Sequence, residues 1–150
     1  MARYHNIYGP KGTWDGGREK APAAIRRKIA NLASEGGQIE VWGDGLQTRS
    51  FLYIDECNEA TRRLMQFSFM QPINIETEEM VTINQLIQLV SEIARKPVSQ
   101  IHKLDAPIGV RGINSSNILI RVGLGCDYEM SLKEGTEITY DWKNNEIRKG

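Results

Sequence analysis

Little in this sequence points to disulfide bonds, metal binding or membrane insertion. Cys57 and Cys126 lie far apart and form no C-x-x-C motif, so we expect two reduced thiols in a cytoplasmic protein. His5 and His102 have no metal-ligand spacing with each other or with a cysteine, so we predict no metal site. No apolar run approaches the roughly 20 residues that span a membrane. The residues after Met1 lack the apolar core of a signal peptide.

An excess of charge of either sign is also missing. The chain carries 19 Lys and Arg residues against 19 Asp and Glu residues, for a formal net charge of +0. A general nucleic-acid binder shows a basic excess, so that class is excluded, and any anionic ligand has to be held by a local cluster. The length of 150 residues, with 40% hydrophobic and 25% charged residues, predicts one domain spanning residues 1–150.

A glycine-rich loop of the dinucleotide-binding type is absent as well. No G-x-x-G-x-x-G pattern follows a predicted strand, and the glycines at 9–12 and 16–17 lie in a predicted loop. The first predicted strand, residues 3–7, begins almost at the first residue and has to join a sheet made elsewhere. We therefore assign no cofactor-binding residues and expect no dinucleotide to bind this chain alone.

The most informative stretch is residues 39–55. Two short apolar runs, 39–42 and 51–54, predict strands, and Gly43-Asp44-Gly45 between them supplies the positive φ angles of a tight turn, so we predict a hairpin. Gln47, Thr48 and Arg49 follow the turn. An arginine at the end of a rigid element suits bidentate binding of phosphate or carboxylate. An ordinary exposed arginine on a surface hairpin is the alternative.

The rest of the chain alternates between predicted helices and short strands, which indicates a small α/β domain. Two capping boxes, Thr82 with Gln85 and Ser131 with Glu134, open helices. Further helices are predicted from Pro22 to Gly36, after an Asp55 cap, and after Ser115 or Ser116; further strands are predicted at 72–75 and 100–104. The apolar stripes predicted for these three helices are Ile25, Ile29, Leu32 and Ala33; Cys57, Ala60, Leu64 and Met65; and Ile118, Leu119 and Val122.

Three motifs together resemble one enzyme family. The G-D-G-x-Q-x-R pattern at 43–49 and the N-x-Y-G-P pattern at 6–10 resemble the extended short-chain dehydrogenase/reductase family, whose members act on nucleotide sugars. The run G-G-R-E-K-A-P at 16–22, with G-V-R-G at 109–112, resembles the GDP-mannose 3,5-epimerase branch. The resemblance implies that this chain is the substrate-binding domain of such an enzyme and lacks its NAD-binding Rossmann half.

The resemblance also implies roles for individual residues. Lys20 falls on the acid/base lysine of the family, and the implied substrate contacts are Asn6, Glu19, Lys20, Ala21, Lys28, Gln47, Thr48, Arg49 and Arg111. The positive end of the helix dipole next to Lys20 favours a neutral amine, as a general acid near neutral pH requires. From the residues alone, the favoured interpretation of Lys20 is a solvated loop lysine paired with Glu19, and that of Asn6 is a turn-forming asparagine.

In the reaction that the resemblance implies, NAD oxidises carbon four of the mannose ring of GDP-mannose. The ketone acidifies the protons on carbons three and five, and Lys20 returns a proton on the opposite face before hydride goes back. The implied partners are a GDP-sugar and the Rossmann domain; formation of a homo-oligomer stays open. We expect the chain alone to be inactive, because catalysis needs groups from both halves. The alternatives are another nucleotide-sugar epimerase or dehydratase, and a catalytically silent truncated domain that binds ligand or serves in assembly.

Three positions depart from the pattern of that branch. Ile113 and Ser116 stand where the pattern R-G-R-N-S-D-N has a positive and a negative charge, and Cys126 stands where L-G-W has tryptophan. Ser116 can still cap a helix, so we expect the fold to survive. We also expect weaker ordering of the loop around Arg111 and an underfilled core at Cys126.

Overall fold

The computed structural model describes residues 1–13, 19–68, 70–112, 114 and 116–147. Helices and short strands alternate along these residues, which confirms the predicted α/β class. The strands are β1 (Ala2–Tyr4), β2 (Ile7–Tyr8), β3 (Gly37–Trp42), β4 (Thr48–Ser50), β5 (Leu52–Tyr53), β6 (Ile73–Ile75), β7 (Met80–Thr82) and β8 (Val98–Lys103). The helices are α1 (Ala21–Ala30), α2 (Ile54–Gln66), α3 (Ile83–Ala94), α4 (Ile118–Leu124) and α5 (Leu132–Ile147). None of the described helices is long and apolar enough to cross a membrane.

The strands pair two by two, each with a partner distant in sequence. The pairs β1–β6, β2–β5 and β3–β8 are parallel, and β4–β7 is antiparallel. The predicted hairpin is therefore wrong, because β3 pairs with β8 along its whole length instead of with the strand that follows it. The predicted turn itself is present, with φ of 73° at Gly43 and 70° at Gly45.

The turn after β3 is held by α3, and this explains why no hairpin forms. The amide of Asn84 donates to the carbonyl of Gly45 at 3.0 Å, and the amide of Ile83 donates to the carbonyl of Gln47 at 3.2 Å. The start of α3 thus replaces the neighbouring strand as the partner of this backbone. The chain leaves the turn toward β7 and β2 instead of folding back on β3.

Two apolar clusters form the core. The first lies between β3 and helices α1, α3 and α5, and includes the fully buried side chains of Ile29, Leu86 and Val90. The second lies under α2 and α4 against β6, and includes Ile75 and Cys126. Both cysteines are buried free thiols in this second cluster.

The predicted first helix starts where expected and ends early. Pro22 occupies its first turn, but α1 stops at Ala30 with Asn31 as its C-cap, six residues before Gly36. The Nζ of Lys96 donates to the carbonyls of Ala30 at 2.7 Å and Leu32 at 2.5 Å. Since this ammonium group donates hydrogen bonds to carbonyls that have no partner within the helix, α1 needs no glycine cap.

Both predicted capping boxes are present. The amide of Gln85 donates to Thr82 Oγ1 at 3.0 Å and the amide of Thr82 donates to Gln85 Oε1 at 2.8 Å. Ser131 and Glu134 exchange the same two bonds, at 3.2 Å and 3.0 Å. The predicted cap at Asp55 is wrong, because α2 already begins at Ile54 and places the aspartate in its first turn.

The predicted apolar stripes are partly wrong. In α1, Ala33 lies beyond the helix and is exposed. Met65, assigned to the buried face of α2, is 83% exposed. In α4 all three assigned residues, Ile118, Leu119 and Val122, are exposed, while Ile120 and Leu124 are buried. Because apolar residues occur all around this seven-residue helix, its buried side cannot be predicted from the pattern alone.

The predicted cap at Ser116 is present. The amide of Ile118 donates to the Ser116 hydroxyl at 3.3 Å. Ile113 and Ser115 lie outside the described residues.

Candidate functional site

Two arginine-bearing segments that are distant in sequence meet at β4. The amide of Thr48 donates to the carbonyl of Arg111 at 2.9 Å. The Arg49 guanidinium donates to the carbonyl of Val110 at 2.6 Å and to that of Thr48 at 2.7 Å. The structure therefore brings together three predicted substrate contacts, Thr48, Arg49 and Arg111. We call the segments 44–49 and 109–112 the arginine cluster.

The Arg111 side chain is the exposed cation of the arginine cluster. Its Nη1 lies 2.9 Å from Asp44 Oδ2, and 59% of the side chain is exposed. The pKa of Asp44 is lowered, first by a hydrogen bond from the amide of Leu46 and then by Arg111. An anionic ligand at this position would compete with one partly exposed carboxylate, and an ion pair of this kind near the surface is weak because solvent screens it.

Gln47 places an unsatisfied acceptor next to the arginine cluster. The side chain is 7% exposed, and its Nε2 donates to the carbonyl of Trp42 at 3.1 Å. Among the described residues, Oε1 of Gln47 has no hydrogen-bond partner. A buried acceptor without a partner costs about 1–3 kcal/mol, which a ligand hydroxyl or N–H could offset.

Asn6 is fastened to the strand that carries Arg49. Its Nδ2 donates to the carbonyl of Ser50 at 3.1 Å, and its own carbonyl accepts from the amide of Leu52 at 3.0 Å. Behind it, the buried carboxylate of Glu76 lies 2.6 Å from His5 Nδ1 and accepts from the Ser50 hydroxyl at 3.2 Å. Burial raises the pKa of Glu76, and the neighbouring His5 opposes that shift.

Lys20 is the exposed N-cap of α1. Its carbonyl accepts from the amides of Ala23 and Ala24, both at 3.0 Å, which fixes its backbone at the start of the helix. Glu19 Oε1 lies 2.5 Å from Arg27 Nη2, and the Glu19 side chain is 4% exposed. The carboxylate that the sequence pairs with Lys20 thus forms an ion pair with Arg27, about two turns further along α1.

Ala21 and Lys28 lie on one side of α1, two turns apart. Lys28 Nζ donates to the carbonyl of Glu40 in β3 at 3.1 Å, so this side of the helix faces the strand that leads into the turn. The predicted residues therefore form two groups, the arginine cluster with Asn6 and Gln47, and the start of α1 with Lys28.

A cavity that was not predicted from the sequence lies beside Lys20. Its volume is about 250 Å³, and it lies between β2, the start of α1 and the middle of α5. Arg26 and Lys143 line it and are buried, at 2% and 3% exposure. Charged helix residues are normally exposed, so composition gave no signal here. The i, i+4 spacings of Pro22 with Arg26 and of Thr139 with Lys143 are a weak signal that could have indicated two facing helix sides. We call this space the α1–α5 cavity.

Three glycines that follow strands are packed against other parts of the protein. A Cβ atom built on Gly9, Gly43 or Gly45 would collide with Ile54, Ile108 or Asn84, so protein atoms already fill the space next to these glycines. None of these turns leads a strand directly into a helix N-terminus, as a dinucleotide-binding loop does. In the same part of the chain, no group of three His, Cys, Asp or Glu side chains could hold a metal ion.

Comparison with known proteins agrees with the motifs. The family model of the NAD dependent epimerase/dehydratase family matches residues 1–75. GDP-mannose 3,5-epimerase of Arabidopsis thaliana is 50% identical over 149 residues, which are 99% of this chain and 38% of that protein. GDP-mannose 3,5-epimerase 1 of Oryza sativa subsp. indica is 48% identical with the same coverage. The chain thus spans less than half the length of these relatives, and the predicted resemblance is confirmed.

A solved structure shows the same fold. UDP-glucose 4-epimerase of Thermotoga maritima, solved with UDP-glucose, superposes with a TM-score of 0.87 at 25% identity. The match covers 97% of this chain and 46% of that one. Together with the family match, this similarity extends over almost the whole sequence. The chain belongs to the NAD dependent epimerase/dehydratase family.

Proposed function

We propose that residues 1–150 form the nucleotide-sugar-binding domain of an NAD-dependent epimerase that acts on GDP-mannose. The observation that carries the proposal is the contact between Arg49 and the segment 110–111, which brings two guanidinium groups from distant motifs to one surface. A diphosphate needs such a pair, because charge-assisted hydrogen bonds to phosphate are worth about 1.5–3 kcal/mol each. The identity of 50% to a GDP-mannose 3,5-epimerase supports GDP-mannose as the sugar nucleotide.

In this proposal the two groups of residues have different tasks. Arg49, Arg111 and Thr48 bind the diphosphate, and Gln47 Oε1 accepts a hydrogen bond from the nucleotide. Asn6, Glu19, Ala21 and Lys28 contact the rest of the substrate. Lys20, held at the exposed start of α1, returns a proton to the sugar ring as general acid.

The cofactor belongs to another region of the enzyme in this proposal. NAD supplies oxidation and re-reduction at carbon four when it is bound to a dinucleotide-binding domain. Because Gly9, Gly43 and Gly45 are packed against protein and catalysis needs groups from both halves of the enzyme, we propose that this chain alone neither binds NAD tightly nor turns over GDP-mannose. Its own contribution is binding, orientation and one proton transfer.

Calorimetric titration of the purified chain with GDP-mannose, GDP, UDP-glucose and NAD tests the proposal. We expect GDP-mannose and GDP to bind, UDP-glucose to bind more weakly and NAD not to bind. Arg49→Ala should weaken GDP binding by about tenfold or more, since one charge-assisted bond is lost.

The matched control is Arg62→Ala, which removes an exposed arginine on α2 that pairs only with helix neighbours. It should leave GDP binding unchanged. Equal loss in both variants would contradict the assignment of Arg49. Preferential binding of UDP-glucose would favour another nucleotide-sugar epimerase, and absence of all nucleotide binding would favour a silent domain.

A further inference from the structure

The arginine cluster contains its own anion. Asp44 lies in the same segment as Arg49, and its Oδ2 is 2.9 Å from Arg111 Nη1. The Arg49 guanidinium donates instead to the carbonyls of Thr48 and Val110. A phosphate group that approaches Arg111 thus meets a guanidinium that already has a negatively charged partner.

The turn that carries Asp44 is held in place on two sides. Asp44 Oδ1 accepts from the amide of Leu46 at 3.0 Å, and the Asp44 carbonyl accepts from Nδ2 of Asn84 in α3, also at 3.0 Å. On the other side, a Cβ atom built on Gly43 would collide with Ile108, so the turn packs closely against that side chain. The position of the carboxylate is therefore set by the turn and its two neighbours.

The backbone of Arg111 is held as firmly as the turn. The amide of Thr48 donates to the carbonyl of Arg111 at 2.9 Å, and Thr48 forms a parallel β-bridge with Gly112. A Cβ atom built on Gly112 would lie 2.8 Å from Thr48 Oγ1, so these two residues are in close contact. Because both segments of the arginine cluster are fixed, the Arg111 side chain, which is 59% exposed, is the part that can exchange partners.

The pair between Asp44 and Arg111 is weak enough to be exchanged. Both side chains are partly exposed, at 35% and 59%, so solvent screens their attraction. A diphosphate offers the guanidinium several charge-assisted hydrogen bonds in place of one. The hydrogen bond from the Leu46 amide lowers the pKa of Asp44, so the carboxylate is ionised at neutral pH. After the exchange it lies as a fixed negative charge next to the ligand and repels it.

We propose that Asp44 is a built-in competitor, which occupies Arg111 in the ligand-free protein and lowers the affinity of the arginine cluster for diphosphates. This role rests on the proposed function, in which the ligand is the diphosphate of a nucleotide sugar. Asp44 thus limits how tightly a diphosphate is held. Such a limit favours release of a product that carries the same diphosphate as the substrate.

Calorimetric titration of the whole chain with inorganic pyrophosphate and with GDP tests this role. Asp44→Asn removes the charge, while the new side chain keeps an oxygen that can accept from the Leu46 amide. We expect this variant to bind both ligands about threefold or more tightly than the wild type, because a competing and repelling charge is lost. Asp44→Ser, which also keeps an acceptor for that amide, should show the same gain.

Two further variants separate this role from a general change in charge. Glu35→Gln makes the same change in net charge at an exposed position near the opposite end of β3, about 20 Å from the turn for a strand of this length, and should leave both affinities unchanged. When Asp44→Asn is combined with Arg111→Met, the gain should disappear, because the carboxylate acts through Arg111. Melting temperatures check that each variant is folded.

Any of five results would overturn the proposal. These are no pyrophosphate binding to Asp44→Asn, an affinity of that variant equal to or below that of the wild type, no gain in Asp44→Ser, the same gain in Glu35→Gln, and a gain that persists without Arg111. If Asp44→Asn binds pyrophosphate more tightly but no nucleotide binds, or UDP-glucose is preferred, the proposed function fails and the role of Asp44 stands. If GDP-mannose binds as proposed and Asp44→Asn brings no gain, the role of Asp44 fails alone.

Discussion

The arginine cluster and the α1–α5 cavity hold their guanidinium groups in opposite ways. Arg49 and Arg111 lie near the surface, where backbone carbonyls and the Asp44 carboxylate already accept their hydrogen bonds. Arg26 is buried, contacts a hydroxyl and a ring, and keeps an unused donor. In the first region the contacts fix the position of the charge at low cost. In the second region, the fold bears the cost of burying a guanidinium group whose contacts among the described residues are a hydroxyl and an aromatic ring.

The largest expected effect is on the stability of the apolar core that supports both regions. Ile29 is a fully buried residue of α1, the helix that positions Lys20 and Arg26. Ile29→Ala should lower the free energy of unfolding by about 2–5 kcal/mol, because it removes apolar contacts and leaves a cavity. Urea denaturation measures this.

Ile138→Ala is the matched control, because Ile138 is 44% exposed on α5. It should lower the free energy of unfolding by well under half as much. Equal losses in the two variants would mean that α1 does not rest on the apolar core.

The comparison of the two arginines can be measured directly in stability. Arg49→Met leaves the carbonyls of Thr48 and Val110 without their donor and should cost about 1 kcal/mol. Arg26→Met removes a buried charge that has no carboxylate partner among the described residues, and should be neutral or stabilising by about 1 kcal/mol. Thermal and urea unfolding of both variants, without ligand, give the two values. If Arg26→Met lowered the free energy of unfolding more than Arg49→Met did, the proposed difference between the two arginines would be contradicted.

The smallest expected effect concerns pH. Because burial raises the pKa of Glu76 in the folded state, the folded chain keeps this proton where the unfolded chain has released it. The free energy of unfolding should therefore contain a contribution that falls as pH rises above the ordinary glutamate pKa of about 4.3. Urea denaturation at several pH values should show a flatter profile for Glu76→Gln than for the wild type.

The control for this measurement is Glu35→Gln, an exposed carboxylate whose pKa is lowered by a local backbone hydrogen bond. For a lowered pKa the sign reverses, so that contribution to stability is lost as pH falls. A steeper acid-to-neutral decline for Glu76→Gln than for the wild type would contradict the raised pKa of Glu76.

Local features of this fold could be predicted from the sequence, whereas pairings could not. The capping box of Thr82 and Gln85 depends on two residues only three positions apart, and it is present. The turn at Gly43 and Gly45 is also local and present. The partner of β3 is set by β8 and by α3, both more than 40 residues later, so the prediction of a hairpin failed.

The candidate site also has features that could be predicted from the sequence and features that could not. That Arg49 and Arg111 belong together followed from the family resemblance, and no spacing in the sequence could show it. The burial of Arg26 and Lys143 could not be predicted, because it depends on how α1 and α5 face each other. The assignment of Lys20 and the other site residues to substrate remains a prediction.

The parallel pairing of distant strands also has a consequence during synthesis. Ala2 in β1 pairs with Ile73 in β6, and Gly37 in β3 pairs with Val98 in β8. At about 5–20 residues per second, a ribosome needs several seconds to make each partner available. During that time Ile39 and Val41, which end fully buried, have no strand to pair with. The nascent chain thus exposes an apolar strand edge in the interval when other nascent chains and chaperones can bind it.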